Sequence, residues 1–453
     1  MQTKKKIAVL LLGLLPLMAS AGHPFTLKEC LDFAVENNRK LQKDKLGLQT
    51  SQLDRKELIG SLLPQVSASS GYTYNIQKTT FAMPNFVNSM LPEAMRDPNA
   101  AKYMTVSMGM DMAANWGASV SQQLVNFSIF NALSIAKEAD EMAKLGVELT
   151  TADVISQTAS LFYNIQVLDY ALTQFDESLA LMDTTLNILN VNREIGLVRE
   201  VDVNRVNVQK GNLETERSSM EQALEVQKSL LKLQMGFPMD DDIKLSALDI
   251  KGMEDELNAA RLHTFNVTGL PAYRLMEEQQ AMAKLGLRGA KYETLPVVNL
   301  VGTYSMNYMG DDFKGDTFFK FPVSMVQLNL KVPIFTGFSK TAKVKKARIE
   351  IMKSDEDKQQ LTETLMMGYN NARMQLDQNL KAIESQRNNK NLAQDVYEVT
   401  NSNFGEGISS LSDVLNASSS LIQAQMNYIT ALNNSMKAFI DLKKADGSIY
   451  DLR

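Results

Sequence analysis

Two histidines, His23 and His263, and one cysteine, Cys30, are the only imidazoles and the only thiol in a chain of 453 residues. A zinc site of the usual kind takes three or four His or Cys ligands, so none can be built here. A single cysteine also excludes a disulfide framework. No nucleophile motif, phosphate loop or cluster of metal-ligating residues accompanies them, and the chain reads as a non-enzyme with no cofactor and no metal. Methionine is the one potential ligand in quantity: Met83, Met90, Met95, Met104, Met108, Met110 and Met112 crowd the stretch from Gln77 to Ala114. Thioethers can hold Cu(I), but the spacing is irregular and no His or Cys joins them, so adaptable packing is the reading. His263, in a polar helix start, carries no chemistry. The carboxylates that stand out are Asp202 and Asp413. Each follows a Gly-apolar turn, Gly196-Leu197-Val198 and Gly407-Ile408-Ser409, at the same spacing. Aspartate is a favoured helix N-cap, so capping is the first role expected of both.

The elements that hold these turns must be long. Only 23 glycines and 11 prolines interrupt the chain, well under their usual share. Residues 127–194 and 336–403 each run to about 68 residues, or about 100 Å at the helical rise of about 1.5 Å per residue. Residues 26–60 with 413–443, and 201–236 with 262–291, make up two composite helices of matching length. The first long helix has a heptad: Val147, Val154, Leu161, Leu168, Phe175, Met182 and Leu189, with Ile165, Leu172, Leu179 and Leu186 four positions on. That is a coiled-coil seam. The second long helix uses Leu365, Tyr369, Ala372, Leu376 and Ile383, with Asn370, Asn371, Gln375, Gln378 and Asn379 on polar faces.

The chain is also written twice. Leu63-Pro64-Gln65-Val66 returns as Leu295-Pro296-Val297-Val298, and Leu124-Val125-Asn126-Phe127 as Val332-Pro333-Ile334-Phe335. The two Gly-apolar turns are the third match. Each half reads as helix, strand, loop, strand, long helix, turn, helix. The strand pairs, 63–76 with 115–126 and 295–308 with 322–335, alternate with period two, the second strand most weakly. Val298, Leu300, Tyr304, Met306 and Tyr308 oppose Asn299, Thr303, Ser305 and Asn307; Val326, Leu328, Leu330 and Val332 oppose Gln327, Asn329 and Lys331. Val66, Ala68, Tyr72, Tyr74 and Ile76 oppose Ser67, Ser69, Thr73 and Asn75 in the first strand. Strands of about ten residues, apolar on one face and aromatic near the ends, suit a membrane barrel. An ordinary half-buried sheet would show the same alternation. Four strands cannot close a barrel, since the smallest bacterial ones have eight. Three copies would supply twelve.

The expected division is a signal peptide over 1–21, a first repeat over 22–236, an equatorial connection over 237–261, a second repeat over 262–443 and a tail over 444–453. The signal reading rests on Lys4-Lys5-Lys6, the apolar run Ile7–Met18 and Ala19-Ser20-Ala21. A net charge of −5, from 47 basic and 52 acidic side chains, offers no basic surface for nucleic acid.

In the order and duplication of these marks the chain resembles the TolC-like outer membrane efflux protein family, from Phe25-Thr26-Leu27 through Leu442. The resemblance implies a mainly α fold with a β-barrel: a long antiparallel α-helical barrel plus four strands per chain, completing a trimeric 12-stranded outer-membrane β-barrel. It implies a homotrimer in outer-membrane lipid, reaching into the periplasm. There it would serve as the channel of a tripartite export system, with a periplasmic adaptor protein and an inner-membrane pump as partners. The family's constriction lies just after the second turn, which carries a gate role to Asp413 and Asn416. Glu194 and Glu406, at the turns, are the reserve acids. Gly196, Leu197, Val198, Gly407 and Ile408 become candidates for the periplasmic tip and its adaptor contact. Where the family's closing links use a tyrosine and an arginine, this chain has Phe404 and Ser409. A different class would be a secreted coiled-coil scaffold or adhesion protein without a membrane pore.

Overall fold

The computed structural model describes residues 23–260, 265–312 and 318–453. The expected signal peptide, 1–21, and His263 lie outside the described residues. The chain is mostly helical with a few antiparallel strands. In order run α1 (Leu27–Asn37), α2 (Arg39–Gly60), β1 (Gln65–Tyr74), β2 (Thr79–Pro84), α3 (Phe86–Met90), β3 (Tyr103–Met108), β4 (Met112–Val125), α4 (Phe127–Glu194), α5 (Glu200–Met235), α6 (Ile250–Ala260), α7 (Pro271–Tyr292), β5 (Val297–Gly310), β6 (Phe319–Lys331), α8 (Ser339–Gly405) and α9 (Leu411–Asp446). Two helices are very long, α4 with 68 residues and α8 with 67. Among the described residues no helix is long and apolar enough to cross a membrane.

Two compact units divide the chain. One combines the segment up to Gln49 with Met142–Glu278 and Asp355–Arg453; the other combines Thr50–Glu141 with Gln279–Ser354. The first unit is helix on helix. The α4 heptad supplies its core: Val154, Phe175, Met182 and Leu189 are buried, as are Ile165 and Leu186 of the second row. Leu376 and Ile383 of α8 and Leu432, Met436 and Phe439 of α9 pack with Val154 and Ile165, while Phe175 and Met182 belong to a second cluster and Leu186 and Leu189 to a third. In the same unit Phe25 forms a short parallel bridge to Leu245, with its N–H donating to the Lys244 carbonyl at 2.8 Å.

The second unit contains a four-stranded antiparallel sheet in the order β1-β4-β5-β6, and a separate β2-β3 pair. Asp140, buried in this unit, accepts from Ser51 Oγ at 2.6 Å and lies 3.2 Å from Arg55 Nε. Asn131, also buried, donates to the Leu285 carbonyl at 3.0 Å and accepts from Arg288 at 2.7 Å.

Several boundaries differ from those read in the sequence. The helix expected over 26–60 is broken at Asn38, whose Oδ1 accepts from the Leu41 N–H at 3.0 Å while its Nδ2 donates to the Gln234 carbonyl at 2.6 Å. A short amide competes with the helix's own backbone partners and restarts the chain as α2. The helix expected from 262 begins at Pro271, where a proline suits the first turn because its missing N–H needs no partner. The connection 237–261 contains a helix of its own, α6, because Met253, Leu257 and Ala260 share one buried face. In the tail, α9 continues to Asp446 and a short 3-10 turn follows over Ser448–Leu452. The stretch 77–114 is not an open loop: Thr79–Pro84 pairs with Tyr103–Met108, and Met83 faces Met104 across that ladder. The last strand lies at Phe319–Lys331, earlier than 322–335, and Pro333 has no N–H to continue a ladder. Gly337 and Phe338 then take φ of 59° and 62°, so α8 starts at Ser339 instead of 336.

Candidate functional site

The two Gly-apolar turns have the same backbone. At the first, the Gly196 N–H donates to the Arg193 carbonyl at 2.9 Å and the Leu197 N–H to Asn192 at 2.8 Å. At the second, Gly407 donates to Phe404 at 3.0 Å and Ile408 to Asn403 at 2.8 Å. This nested pair of bonds is a Schellman stop, which requires a left-handed residue after the helix. Gly196 and Gly407 supply it with φ of 80° and 77°. The turns leave apolar side chains in water: Ile195 is 65% exposed, Leu197 75% and Ile408 70%. Val198 instead packs beside Leu186, Leu189, Val203 and Val206, with Phe404 against the same cluster. Leu197 and Ile408 are therefore presented outward, while Val198 staples the turn. Phe404 also touches the cluster of Tyr397, Val414 and Leu421, and this packing uses no hydroxyl.

The two aspartates part company here. Ser410, not Asp413, is the N-cap of α9: its Oγ accepts from the Asp413 N–H at 3.2 Å, and the Asp413 carboxylate accepts from the Ser410 N–H at 3.0 Å and Oγ at 2.6 Å. This reciprocal arrangement is a capping box. The hydrogen bonds from Ser410 hold the Asp413 carboxyl below the usual carboxylate range. Asp202, at the corresponding place in α5, does not cap either. It is clasped by Arg199 at 3.0 Å and Arg205 at 3.3 Å, so its charge is locally balanced. Among the described residues no cation pairs with Asp413. The sequence contains the signals for both: Ser at three residues before Asp413, and arginines three residues either side of Asp202.

Asp413 opens a polar stripe on α9. Asn416, Ser420, Gln423, Asn427, Thr430 and Asn434 follow it at alternating steps of three and four, all exposed. Beside it on α8, Gln386 and Asn389 share a shallow groove with Ser420, Gln423 and Asn427, and Asn379 donates to the Asn434 carbonyl at 3.2 Å. Such a surface of neutral amides and hydroxyls stays hydrated and repels neither sign of charge.

In the strand unit, the pairing register sorts side chains by face. Leu300 faces Leu328, Val298 faces Leu330, and Val120 joins Val66 to Gly302 on the same side. Toward the other end this side carries Tyr72, Tyr74, Trp116, Tyr304 and Tyr308. Trp116 meets the Tyr304 ring edge-on at 6.3 Å and donates from Nε1 to the Tyr308 hydroxyl at 3.4 Å. The reverse side holds Ser67, Ser69, Thr73, Ser119, Asn115, Thr303, Ser305 and Asn307. An apolar face ending in an aromatic belt suits lipid; a hydroxyl-and-amide face suits water. Lys78 lies 2.9 Å from Asp311 and 3.2 Å from Asp111, binding the two hairpins where β1 and β5 end.

Solved outer-membrane channels share this fold. The chain superposes on the outer-membrane channel OprN with a TM-score of 0.71 at 13% identity, covering 93% of this chain and 89% of that one. On the Campylobacter jejuni CmeC outer membrane channel the score is 0.70 at 16% identity, covering 93% and 85%. Residues 277–448 match the family model described as Outer membrane efflux protein. The chain is 22% identical to the Outer membrane protein TolC of Escherichia coli (strain K12), over 99% of its own length and 87% of that protein. It is 21% identical to the TolC of Vibrio cholerae, over 99% and 96%. In sequence and in fold the chain is thus similar to the TolC-like outer membrane efflux proteins.

Proposed function

We propose that three copies close their sheets edge to edge into a twelve-stranded barrel in the outer membrane, and that their helices wall a conduit through the periplasm. Substrate would enter from an inner-membrane pump through an adaptor protein docked at the two turns. The observation that supports this most is the sheet β1-β4-β5-β6, which is antiparallel throughout and has β1 and β6 at its edges. Because four strands alternate in direction, β6 of one copy runs antiparallel to β1 of the next. Head-to-tail pairing can then repeat around an axis and leave no edge. Four strands are too few to close, and three copies make twelve. The apolar belt faces lipid and the hydroxyl face lines the bore. A secreted scaffold without a pore would bury its apolar face, whereas Val66, Val326, Leu328 and Leu330 stand exposed. The test is mass: protein extracted in detergent is expected to scatter light as three chains, and a stable monomer would overturn both barrel and conduit.

The internal duplication fits the same reading. The two halves, 22–236 and 262–443, contain turns of one geometry before their last helices, with 237–261 and 444–453 as the segments between and after them. Gly196, Leu197, Gly407 and Ile408 would form the adaptor-facing tip, with Val198 packed beneath it. Gly196→Val or Gly407→Val places a β-branched residue at positive φ, where it is strained. Export is expected to fall while the trimer still assembles. Unchanged cross-linking of the adaptor to cysteines placed beside the turns would show that docking lies elsewhere.

Asp413 is proposed as the constriction, with Asn416 one step further along the same face. Three copies would bring three unpaired carboxylates around one axis, a cation-favouring ring. Asp202, with Arg199 and Arg205 against it, cannot supply one.

A further inference from the structure

We propose that the first half of β6 forms an apolar collar inside the barrel, near its outer mouth, which favours amphipathic organic molecules over hydrated ions at the exit. The inference rests on the barrel reading above and concerns a part of the bore that the reading leaves polar.

Strand β6 reads Phe319-Lys320-Phe321-Pro322-Val323-Ser324-Met325-Val326-Gln327-Leu328-Asn329-Leu330-Lys331. Its apolar residues change parity between Met325 and Val326. Val326, Leu328 and Leu330 are even; Phe319, Phe321, Val323 and Met325 are odd. The pairing with β5 runs from Phe319 to Lys331 without a register shift. With no bulge to reset the pleat, the two apolar sets project from opposite faces. Val326 and Leu328 face Gly302 and Leu300, on the lipid side. Met325, Val323 and Phe321 face Thr303, Ser305 and Asn307, the residues of the water side.

The lipid side stays consistent along this half. Lys320 and Ser324 occupy it, level with the aromatic belt, and the Lys320 ammonium lies 5.7 Å over the Tyr308 ring. That is where a lysine reaching for headgroups belongs. The four odd residues are not core: Phe319 is 51% exposed, Phe321 40%, Val323 45% and Met325 48%. Threefold repetition would place a band of phenylalanine, valine and methionine around a bore whose other residues are mostly hydroxyls and amides, with Val297, Val301 and Met309 the apolar exceptions on β5. An apolar constriction resists wetting and so hinders hydrated ions, whereas an amphipathic solute gains by leaving water for it.

The test uses the assembled wild-type trimer and single-cysteine probes. The native thiol is silent, because Cys30 is fully buried and burial pushes its pKa up to about 12. Val323→Cys is expected to react with a charged, membrane-impermeant thiosulfonate added from the outer side, and Leu328→Cys only with a lipid-soluble maleimide. In planar bilayers, Phe319→Ser with Phe321→Ser is expected to raise potassium conductance, up to the ceiling that the Asp413 constriction sets. It should also lower the permeability of tetrabutylammonium relative to potassium, two cations of equal charge, while Phe319→Leu with Phe321→Leu keeps the wild-type ratio. A conducting trimer whose Val323→Cys ignores the charged reagent, or whose permeability ratio is unmoved by the serines, overturns the collar and leaves the barrel standing. A wild-type protein that is monomeric and does not conduct overturns the barrel, and the collar with it.

Discussion

Asp413→Asn is expected to abolish block of the channel by divalent cations added from the tip side, and with it the preference for cations over anions. The carboxylate is exposed and its partners are the Ser410 N–H and hydroxyl, neither of which neutralises charge. Asparagine keeps the shape and an oxygen that can accept the same bonds, so the capping box and the trimer should survive. Asp202→Asn is the control, since the two arginines beside it already balance that charge. Planar-bilayer reversal potentials decide: equal changes in both variants, or none in either, would remove Asp413 from the gate and turn attention to Glu194 and Glu406. The effect of pH has a defined sign. The Asp413 carboxyl is lowered by its bonds from Ser410. Its contribution to capping is therefore complete above the ordinary carboxylate value of about 3.9, and is lost as pH falls through the lowered folded value. Repulsion among three such groups acts in the opposite direction. Cation block in the trimer should therefore weaken at a higher pH than the cap of an isolated chain does, and that difference would itself report the ring.

Leu432→Ala is expected to destabilise the helical unit strongly. Leu432 is fully buried in the main core cluster, among the large side chains of α4, α8 and α9. Removing its isobutyl group loses the transfer energy and leaves a cavity, together about 2–5 kcal/mol. Thr430→Ala, two residues away and exposed, serves as comparison and should change stability by about 0.5 kcal/mol or less. Denaturant midpoints read by helical circular dichroism in detergent test the pair. A loss below about 1 kcal/mol for Leu432→Ala would mean that the site can collapse around the gap, contrary to the close packing described.

Whatever depends on local periodicity was legible in the residues alone. The heptad from Val147 to Leu189 requires one buried stripe on a long helix, and the structure buries Val154, Phe175, Met182 and Leu189 of that row. The repeated Gly-apolar turns, each followed at the same spacing by Asp-Val, marked both helix stops, where the glycine meets a local demand for a left-handed residue. The alternation Val298, Leu300, Tyr304, Met306, Tyr308 likewise assigns one face to each residue of β5 wherever its partners lie. Tertiary structure decided what depends on partners distant in the chain. The break at Asn38 is held by the Gln234 carbonyl, 196 residues away. The β2-β3 pair inside 77–114 brings together two short segments whose alternation alone is weak. Asp202 and Asp413 are alike in sequence position, yet only the placement of Arg199, Arg205 and Ser410 side chains shows which charge is balanced. The parity change in β6 is visible in its residues, but an apolar run of either parity fits a strand. Which half faces lipid and which faces the bore is set by register with Thr303, Ser305 and Asn307, and register is a property of two strands together.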